Sequence, residues 1–281
     1  MTESLEFTGE RFTPECVREI WYEHWHRYAF ARPLCEGMRV LDAACGEGYG
    51  SNLLAAVAAE VVGVDVSEQA IAHARDRYAS RPNVRFVTAD ATALPDLGSR
   101  FDRIVSFETL EHLHAHEQLL DGFARQLKDD GILLMSSPDK HTYSDVIGHQ
   151  NEFHVRELYR PEFEALLAQH FSHVRIYGQK LLFQSAIWAL DECRTGQGEA
   201  WTANQNGTSL AEGLGYAPLY FIAVCSRHPL PAHLPGLSLF GDGEESVYSH
   251  YNHEIRKNMA AGARIAELEA EIACLQAYAA K

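Results

Sequence analysis

Short apolar runs alternate with amphipathic segments between residues 39 and 137. Five of these runs, four to seven residues long and flanked by Gly, Asp or Pro, have the pattern of strands buried on both faces of a parallel sheet. They lie at residues 39–42, 60–66, 83–88, 101–107 and 131–136. The segments between them have apolar residues at helical spacing, and they predict helices over residues 49–59, 68–78 and 117–127. Repeated strand–helix–strand units predict a doubly wound α/β sheet.

The pattern changes after Pro138. Residues 161–169 predict a further helix, and residues 172–178 and 219–226 predict two more strands. The stretch 191–218 between these strands is rich in Gly, Asn and Thr, which predicts an irregular insertion. The predicted division has three parts: a helical cap at residues 1–36, an α/β domain at residues 37–228, and a linker with a C-terminal helix at residues 229–281.

Helical spacing also occurs before the sheet. Trp21, Trp25 and Tyr28 lie on one helical face. This face either docks the helix on the sheet or belongs to a lid that brings polar side chains into a cleft. The side chains that such a lid would bring there are Tyr22, His24, His26 and Arg27.

Four apolar residues near the C-terminus follow a 3-4-3 spacing. They are Ile265, Leu268, Ile272 and Leu275. The spacing is typical of a coiled-coil seam. The helix therefore either docks on its own domain or pairs with the same helix of a second chain, which would make a homo-oligomer.

Composition and charge exclude several classes of protein. Apolar residues make up 46% and charged residues 22%, as in folded proteins. The 24 Lys and Arg against 39 Asp and Glu give a net charge of −15, which argues against extended contact with nucleic acids or anionic membranes. No apolar run approaches the roughly 20 residues of a membrane span. Six scattered cysteines without a C-x-x-C pair, and no signal-peptide pattern, favour reduced thiols in the cytoplasm.

A glycine loop follows the first predicted strand. Asp42 ends that strand, and Gly46, Gly48 and Gly50 alternate along the loop. This spacing differs from the Gly-x-Gly-x-x-Gly of dinucleotide binders. Glu47 occupies the helix N-terminus where a pyrophosphate would otherwise bind. A carboxylate there repels phosphate but tolerates a sulfonium.

A second acid supports a nucleoside site. Asp65 ends the second predicted strand, where an acid accepts hydrogen bonds from ribose in nucleoside-binding α/β folds. The alternative for both Asp42 and Asp65 is a turn or capping role. The ordered motifs LDAACGEG, VGVDVS, TADA and FDRIV make residues 38–227 resemble the class I S-adenosylmethionine-dependent methyltransferases.

The resemblance implies a Rossmann-like sheet of seven strands, mostly parallel with the last strand reversed. It implies S-adenosyl-L-methionine as the cofactor and S-adenosyl-L-homocysteine as the product. The glycine loop would wrap the methionine part, Asp65 would hold the ribose, and Val66 and Asp90 would contact the adenine. The cofactor-binding residues that it implies are Asp42, Ala44, Gly46, Gly48, Tyr49, Asp65, Val66, Asp90, Ala91, Phe107 and Glu108.

An acid and histidine cluster follows the fourth predicted strand. Glu108, Glu111 and His112 lie at the sheet edge that faces the ligand crevice. An alcohol loses a proton as it attacks a methyl group, and we expect His112 to be the base, with both acids also catalytic. The spacing also resembles the metal site of ubiquinone and small-RNA O-methyltransferases, but Asn151 stands where a further histidine is expected, with His154 nearby. A divalent metal, a metal-free base and a structural His112 remain alternatives.

Two flanking segments bear on the acceptor. Residues 9–28 and 151–158 resemble those of bacterial methyltransferases associated with cell-surface glycan synthesis, which implies sugar hydroxyls as acceptors. Aromatic and polar side chains suit such a cleft. The expected acceptor-binding residues are Tyr22, His24, His26, Arg27, Asn151 and His154, whereas His114 and His116 are expected to be solvated.

The predicted function is therefore a cytoplasmic S-adenosylmethionine-dependent methyltransferase that methylates a hydroxyl of a sugar, glycan or other small molecule. One alternative is a nicotinamide-dependent oxidoreductase, against which the loop spacing argues. Another is a non-catalytic module that keeps the cofactor pocket and pairs through its C-terminal helix. RNA methylation is disfavoured by the negative charge.

Overall fold

The computed structural model describes residues 19–148, 151–185, 187, 200–203 and 209–279. The first half of the predicted cap and half of the predicted insertion lie outside these residues. The strands are β1 (Arg39–Ala43), β2 (Glu60–Asp65), β3 (Val84–Thr88), β4 (Phe101–Ser106), β5 (Leu127–Pro138), β6 (His173–Gln179), β7 (Trp201–Ala203), β8 (Leu210–Glu212) and β9 (Tyr220–Ser226). The α-helices are α1 (Glu19–Cys35), α2 (Tyr49–Ala55), α3 (Glu68–Arg77), α4 (His116–Gln126), α5 (Arg160–Ala168) and α6 (Ser246–Ala279).

Seven strands form one sheet in the order β3-β2-β1-β4-β5-β9-β6. The pairs from β3 to β5 are parallel, and β9 runs antiparallel to both of its neighbours. The predicted Rossmann-like, mostly parallel sheet with a reversed last strand is confirmed. The strands β7 and β8, which the sequence did not predict, pair with each other outside this sheet.

Alternating side chains of the strands fill a core on each face of the sheet. In β1, Leu41 packs in one apolar cluster and Val40 packs in the other. The first cluster includes residues of α4 and α5, such as Phe123 and Phe163, and the second includes residues of α1 and α2, such as Leu54. Both faces of the sheet are therefore covered, which explains why its strands are continuous apolar runs.

Two predicted boundaries differ from the structure. The predicted helix 49–59 ends at Ala55, because the backbone of Val57 and Ala59 bonds to Gly37 and Met38 instead of continuing the helix. The strand predicted at residues 131–136 begins at Leu127, since that residue already pairs with β4. Ser67 is the N-cap of α3, because its Oγ accepts a hydrogen bond from the Ala70 N–H at 3.2 Å.

The chain divides into two units, the first ending at Leu239 and the second beginning at Phe240. The sheet belongs to the first unit. The second contains α6, whose 34 residues form one continuous helix. Among the described residues, no helix has both the length and the apolar character that crossing a membrane requires.

Candidate active site

Two backbone-strained residues mark the carboxyl ends of neighbouring strands. Ala44 follows β1 with a φ of 60°, and Glu108 follows β4 with a φ of 49°. Residues other than glycine seldom adopt this left-handed conformation, and such strain is concentrated at ligand sites. The strand order reverses between β1 and β4, which is where open α/β sheets bind ligands. We call the space between residues 44–50 and residues 107–112 the crevice.

The glycine loop after β1 is shaped by contacts with other parts of the protein. A Cβ on Gly48 would lie 2.7 Å from the Phe86 ring, and a Cβ on Gly50 would overlap the Tyr28 ring. Gly48 also has a φ of 87°, which favours glycine. Gly48 and Gly50 therefore make room for side chains of β3 and α1.

Asp42 lies beneath the loop. It is fully buried, and its two carboxylate oxygens accept hydrogen bonds from the Tyr28 hydroxyl at 3.0 Å and the Ser51 hydroxyl at 2.6 Å. Burial raises the pKa of Asp42 to about 6, against the effect of these two bonds. Asp42 therefore links β1, α1 and α2 and supports the loop from below.

Asp65 fixes the loop from the end of β2. Its Oδ2 accepts the Gly46 N–H at 2.9 Å, and its Oδ1 accepts the Ser67 N–H at 2.9 Å. Carboxylate oxygens have further lone pairs, so these bonds leave acceptor capacity for ribose hydroxyls. Beside it, the side chain of Val66 is 72% exposed, an apolar surface available to a base.

The remaining residues predicted to contact the cofactor lie around this edge. The Oδ1 of Asp90 accepts hydrogen bonds from the Thr92 N–H and hydroxyl, and so begins the short helix that contains the buried Ala91. Tyr49 and Phe107 are both buried, and each meets the Tyr28 ring edge-on at 5.2 Å.

Glu47 departs from the sequence interpretation. Its carboxylate is 1% exposed and contacts α3, with oxygens 3.3 Å from His73 Nε2 and 3.4 Å from Arg77 Nη1. The Tyr78 hydroxyl also donates a hydrogen bond to it at 3.2 Å. The expectation that Glu47 offers a free negative charge to the crevice is therefore wrong. The carboxylate is buried, and it contacts basic residues of α3 instead.

Glu108 is held by partners from two other elements. Its backbone N–H donates to Ser136 Oγ at 2.9 Å, and that hydroxyl donates to Glu108 Oε1 at 2.6 Å. Its Oε2 lies 3.5 Å from Nη2 of Arg27, whose side chain is fully buried. The Arg27 Nε donates to Gln179 Oε1 at 2.8 Å. These contacts fix the carboxylate of a strained residue at the end of β4.

Glu111 is fully buried, and neither of its carboxylate oxygens has a hydrogen-bond partner among the described residues. Burial and the nearby carboxylate of Glu108 raise its pKa well above the usual range. Its backbone carbonyl accepts the N–H groups of Val155 and Arg156 and so holds the segment after β5 against the crevice. A buried carboxyl without partners is costly, and a proton, a cation or a donor on a ligand would satisfy it.

Two histidines lie beside Glu111. The Nδ1 of His112 is 2.9 Å from the Phe153 carbonyl, so Nδ1 carries the proton and Nε2 keeps its lone pair. His112 Nε2 is 3.8 Å from Glu111 Oε1, and the His154 ring meets the His112 ring edge-on at 5.1 Å. Ligand atoms of Glu111, His112 and His154 all lie within 4.8 Å of one another.

His154, and not Asn151, is the downstream residue that reaches this cluster. His154 Nδ1 lies 2.5 Å from Glu157, and its Nε2 lies 3.1 Å from the Asn151 amide nitrogen. The Asn151 Oδ1 accepts the Phe153 N–H in a tight turn, which brings His154 back toward the crevice. Both predicted acceptor residues of this segment are thus near Glu111.

Tyr143 and Tyr220 were not predicted from the sequence. Together with His154 they form a row of aromatic rings, which we call the aromatic wall. The Tyr143 ring stacks on His154 at 5.2 Å and lies 5.7 Å from the Tyr220 ring. Tyr220 also lies beneath the Arg27 guanidinium, at 4.4 Å. Tyr143 belongs to a π-helix, His141–Asp145, a conformation frequent at functional sites. A π-helix has no recognisable sequence pattern, so the position of Tyr143 could not be predicted. Tyr220 lies in β9, far from Tyr143 in sequence.

The helix α1 packs against the sheet. Trp25 lies 5.9 Å from Tyr49, and Trp21 stacks on Trp25 at 5.1 Å, so the docking interpretation of this face is confirmed. Glu23, which the sequence analysis did not select, is buried here, and burial, opposed by Arg27, raises its pKa to about 7.

The predicted acceptor residues of α1 point to different places. Arg27 reaches Glu108, as described above. His24 Nδ1 lies 3.4 Å from the Tyr49 hydroxyl, and burial together with Arg27 lowers its pKa. His26 Nε2 lies 3.0 Å from Ser238 Oγ, and Tyr22 packs edge-on against Trp21.

Near the start of α4, His114 is exposed as expected. The expectation that His116 is solvated is wrong, because His116 is fully buried, and burial together with Arg156 lowers its pKa.

Comparison with known proteins agrees with this geometry. Residues 40–131 match the family model described as a methyltransferase domain. A protein of Mycobacterium tuberculosis named probable S-adenosylmethionine-dependent methyltransferase is 38% identical over 168 residues, which cover 58% of this chain and 60% of the relative. A ubiquinone biosynthesis O-methyltransferase of Sinorhizobium medicae is 32% identical over 124 residues, 43% of this chain and 49% of that protein.

The crystal structure of the YcgJ protein from Bacillus subtilis has the same fold, with a TM-score of 0.51 at 22% identity over 73% of this chain and all of that one. The fold agrees with the match of residues 40–131 to a methyltransferase domain and with the similarity to a probable S-adenosylmethionine-dependent methyltransferase. The chain spans about 60% of the length of the M. tuberculosis relative and about half the length of the ubiquinone enzyme.

Proposed function

We propose that the protein transfers a methyl group from S-adenosyl-L-methionine to a hydroxyl oxygen of a small acceptor, with a sugar or glycan as the preferred class. One observation carries the proposal. At the crevice, His112 Nδ1 donates to the Phe153 carbonyl, which leaves the lone pair of the neutral imidazole on Nε2, 3.8 Å from Glu111 Oε1. The ubiquinone O-methyltransferase similarity supports oxygen as the methylated atom.

The cofactor has a set of suitable partners along the crevice. Asp65 would accept from the ribose hydroxyls while it holds the loop through Gly46, and Val66 would pack on the adenine. The Nη1 and Nη2 atoms of Arg27 are buried, and neither has a hydrogen-bond partner among the described residues. Because Nη2 also lies 3.5 Å from Glu108 Oε2, Nη1 is the atom that would donate to a carboxylate, which the methionine part of the cofactor carries.

When bound, the cofactor supplies an electrophilic methyl group on a sulfonium. The protein orients the acceptor hydroxyl toward it, and His112 Nε2 accepts the hydroxyl proton as the oxygen attacks. Ser136 and Arg27 hold the carboxylate of Glu108 at the same edge, where its negative charge favours a sulfonium over a phosphate. The methyl group moves to the acceptor oxygen, and the proton of that hydroxyl moves to the His112 imidazole.

A divalent cation also fits this site. Glu111 offers an unpartnered carboxylate, and His112 offers Nε2. His154 would offer Nε2 in exchange for its 3.1 Å contact with the Asn151 amide nitrogen, and both rings are oriented by a second bond at Nδ1. That arrangement is usual for metal-ligating histidines. Two imidazoles and one carboxylate suit Zn²⁺ or Mn²⁺ better than Mg²⁺. A bound cation would polarise the acceptor hydroxyl and lower its pKa.

The acceptor class follows from the walls of the site. The aromatic wall offers ring faces on which a sugar can stack, and Asn151 and Glu157 offer polar groups to hydroxyls. The net charge of −15 disfavours polyanionic acceptors such as RNA. We also propose the cytoplasm as the location, where the cofactor is available.

Calorimetry with S-adenosyl-L-methionine and with NAD tests the cofactor. We expect binding of the first only, and absence of that binding would overturn the proposal. A screen of sugars, nucleotide sugars and phenols for methyl transfer, run with and without a chelator, then tests the acceptor and the metal. Product analysis that located every transferred methyl on nitrogen or carbon would refute O-methylation.

A further inference from the structure

The helix α6 carries an apolar seam that the proposed methyl transfer does not use. Ile265, Leu268, Ile272 and Leu275 are 56%, 41%, 52% and 62% exposed, and they lie along one side of the helix. Val247 is the only buried residue of α6. A helix of 34 residues rarely depends on propensity alone, since most helical stability in proteins comes from a packed apolar face.

The residue types in this seam specify its partner. In heptad notation, Ile265 and Ile272 occupy a positions, and Leu268 and Leu275 occupy d positions. Ile at a with Leu at d favours parallel two-stranded coiled coils. One heptad before Ile265, the a position is Asn258. A single polar Asn at an a position is known to specify the register of the pair and a two-stranded coiled coil.

Charge at the edges of the seam favours the same arrangement. In a parallel pair, each g position faces the e position of the next heptad on the other helix. Arg264 at g would therefore face Glu269 at e of the second copy, on both sides of the seam. In an antiparallel pair centred on the seam, Glu269 of one helix would instead face Glu269 of the other helix, which places like charges together.

We propose that α6 pairs with α6 of a second copy of this chain in a parallel two-stranded coiled coil centred on residues 265–275. The seam residues lie in the second unit of the chain, and the candidate active site lies in the first. The proposal is therefore independent of the proposed function.

The test is the oligomeric state of the full chain, measured by light scattering over micromolar concentrations. We expect a dimer for the wild type. Leu268→Glu should weaken it at least ~100-fold, because each copy loses one buried leucine at about 1.5–3 kcal/mol and tenfold corresponds to about 1.4 kcal/mol. Ala270→Glu adds the same charge at the outward f position and should remain dimeric. Circular dichroism and cofactor binding show that both variants are folded.

Orientation is tested by exchanging charges. Arg264→Glu should weaken the dimer roughly tenfold, and adding Glu269→Arg should restore it, since the parallel pairing again joins opposite charges. The ion pair of Arg264 with Glu267 within one helix is lost in the single and in the double variant. Its loss therefore cannot explain a difference in dimer stability between these two variants. A monomeric wild type, or a Leu268→Glu variant that stays dimeric, would overturn the pairing. Failure of the double exchange to restore the dimer would overturn the parallel orientation.

Discussion

Two helical glycines are predicted to respond oppositely to the same substitution. Gly50 in α2 and Gly122 in α4 both lie inside helices, where alanine is intrinsically favoured by about 1 kcal/mol. A Cβ on Gly122 would have its nearest neighbour, the Ala91 carbonyl, at 3.7 Å, which is ordinary contact. A Cβ on Gly50 would overlap three ring carbons of Tyr28. Gly122→Ala should therefore stabilise the protein and Gly50→Ala should destabilise it.

The magnitude at Gly50 depends on how far the Tyr28 ring can move. The ring is 5% exposed, is flanked edge-on by Tyr49 and Phe107, and is tied to Asp42 through its hydroxyl. Overpacking of this kind costs about 1–3 kcal/mol, and loss of a hydrogen bond to a charged group adds about 1.5–3 kcal/mol. After the gain in helix propensity of about 1 kcal/mol, the net loss is about 1.5–5 kcal/mol, and we take about 2–4 kcal/mol as its central range.

Thermal unfolding measures both effects. At about 2–4 °C per kcal/mol for a domain of this size, Gly50→Ala should lower the Tm by about 5–15 °C, and Gly122→Ala should raise it by about 1–4 °C. The decisive control is Gly50→Ala in a Tyr28→Ala background, where the added methyl has room and the loss should vanish. If Gly50→Ala is equally harmful without the Tyr28 ring, the packing explanation of this glycine is wrong.

Three further predictions concern the site. Asp65→Ala should weaken S-adenosyl-L-methionine binding at least ~10-fold, because ribose contacts and the Gly46 anchor are lost together; an unchanged Kd in calorimetry would refute the ribose assignment. His112→Ala should lower kcat by about 100-fold or more with little change in cofactor affinity, and wild-type turnover would reject it as the base. Relative to Glu23→Gln, the wild type should lose unfolding free energy as pH rises from about 4.5 to about 7, because the unfolded chain releases the Glu23 proton that the folded protein keeps. The difference between the two proteins, measured by urea unfolding, should therefore change across this range, and parallel profiles would contradict the raised pKa.

The sheet could be predicted because each of its strands is encoded locally. A strand covered by helices on both faces needs an apolar run, and such runs are visible without any knowledge of the neighbours. The errors occur where a distant backbone competes. The end of α2 is set by bonds from residues 57–59 to residues 37–38, and the start of β5 is set by its pairing with Phe101.

The candidate site divides in the same way. Glu108, Glu111 and His112 are near one another in sequence and follow one strand, so their proximity could be inferred. The bond between Arg27 and Gln179 spans 152 residues and has no local signature. Tyr220 reaches the site only because β9 inserts between β5 and β6. His154 arrives through a turn that Asn151 makes with its own side chain, which spacing alone did not show.

These long-range contacts decide between the two interpretations of α1. Successive residues of this helix, Arg27 and Tyr28, reach opposite sides of the crevice: Arg27 pairs with Glu108 after β4, and Tyr28 bonds Asp42 beneath the loop after β1. Both side chains are buried. A lid that opened would have to break a buried ion pair and a buried hydrogen bond together, and would leave Glu108 and Asp42 short of partners. We therefore expect the described part of α1 to stay in place as a wall of the crevice, so that acceptor entry and product release depend on other segments.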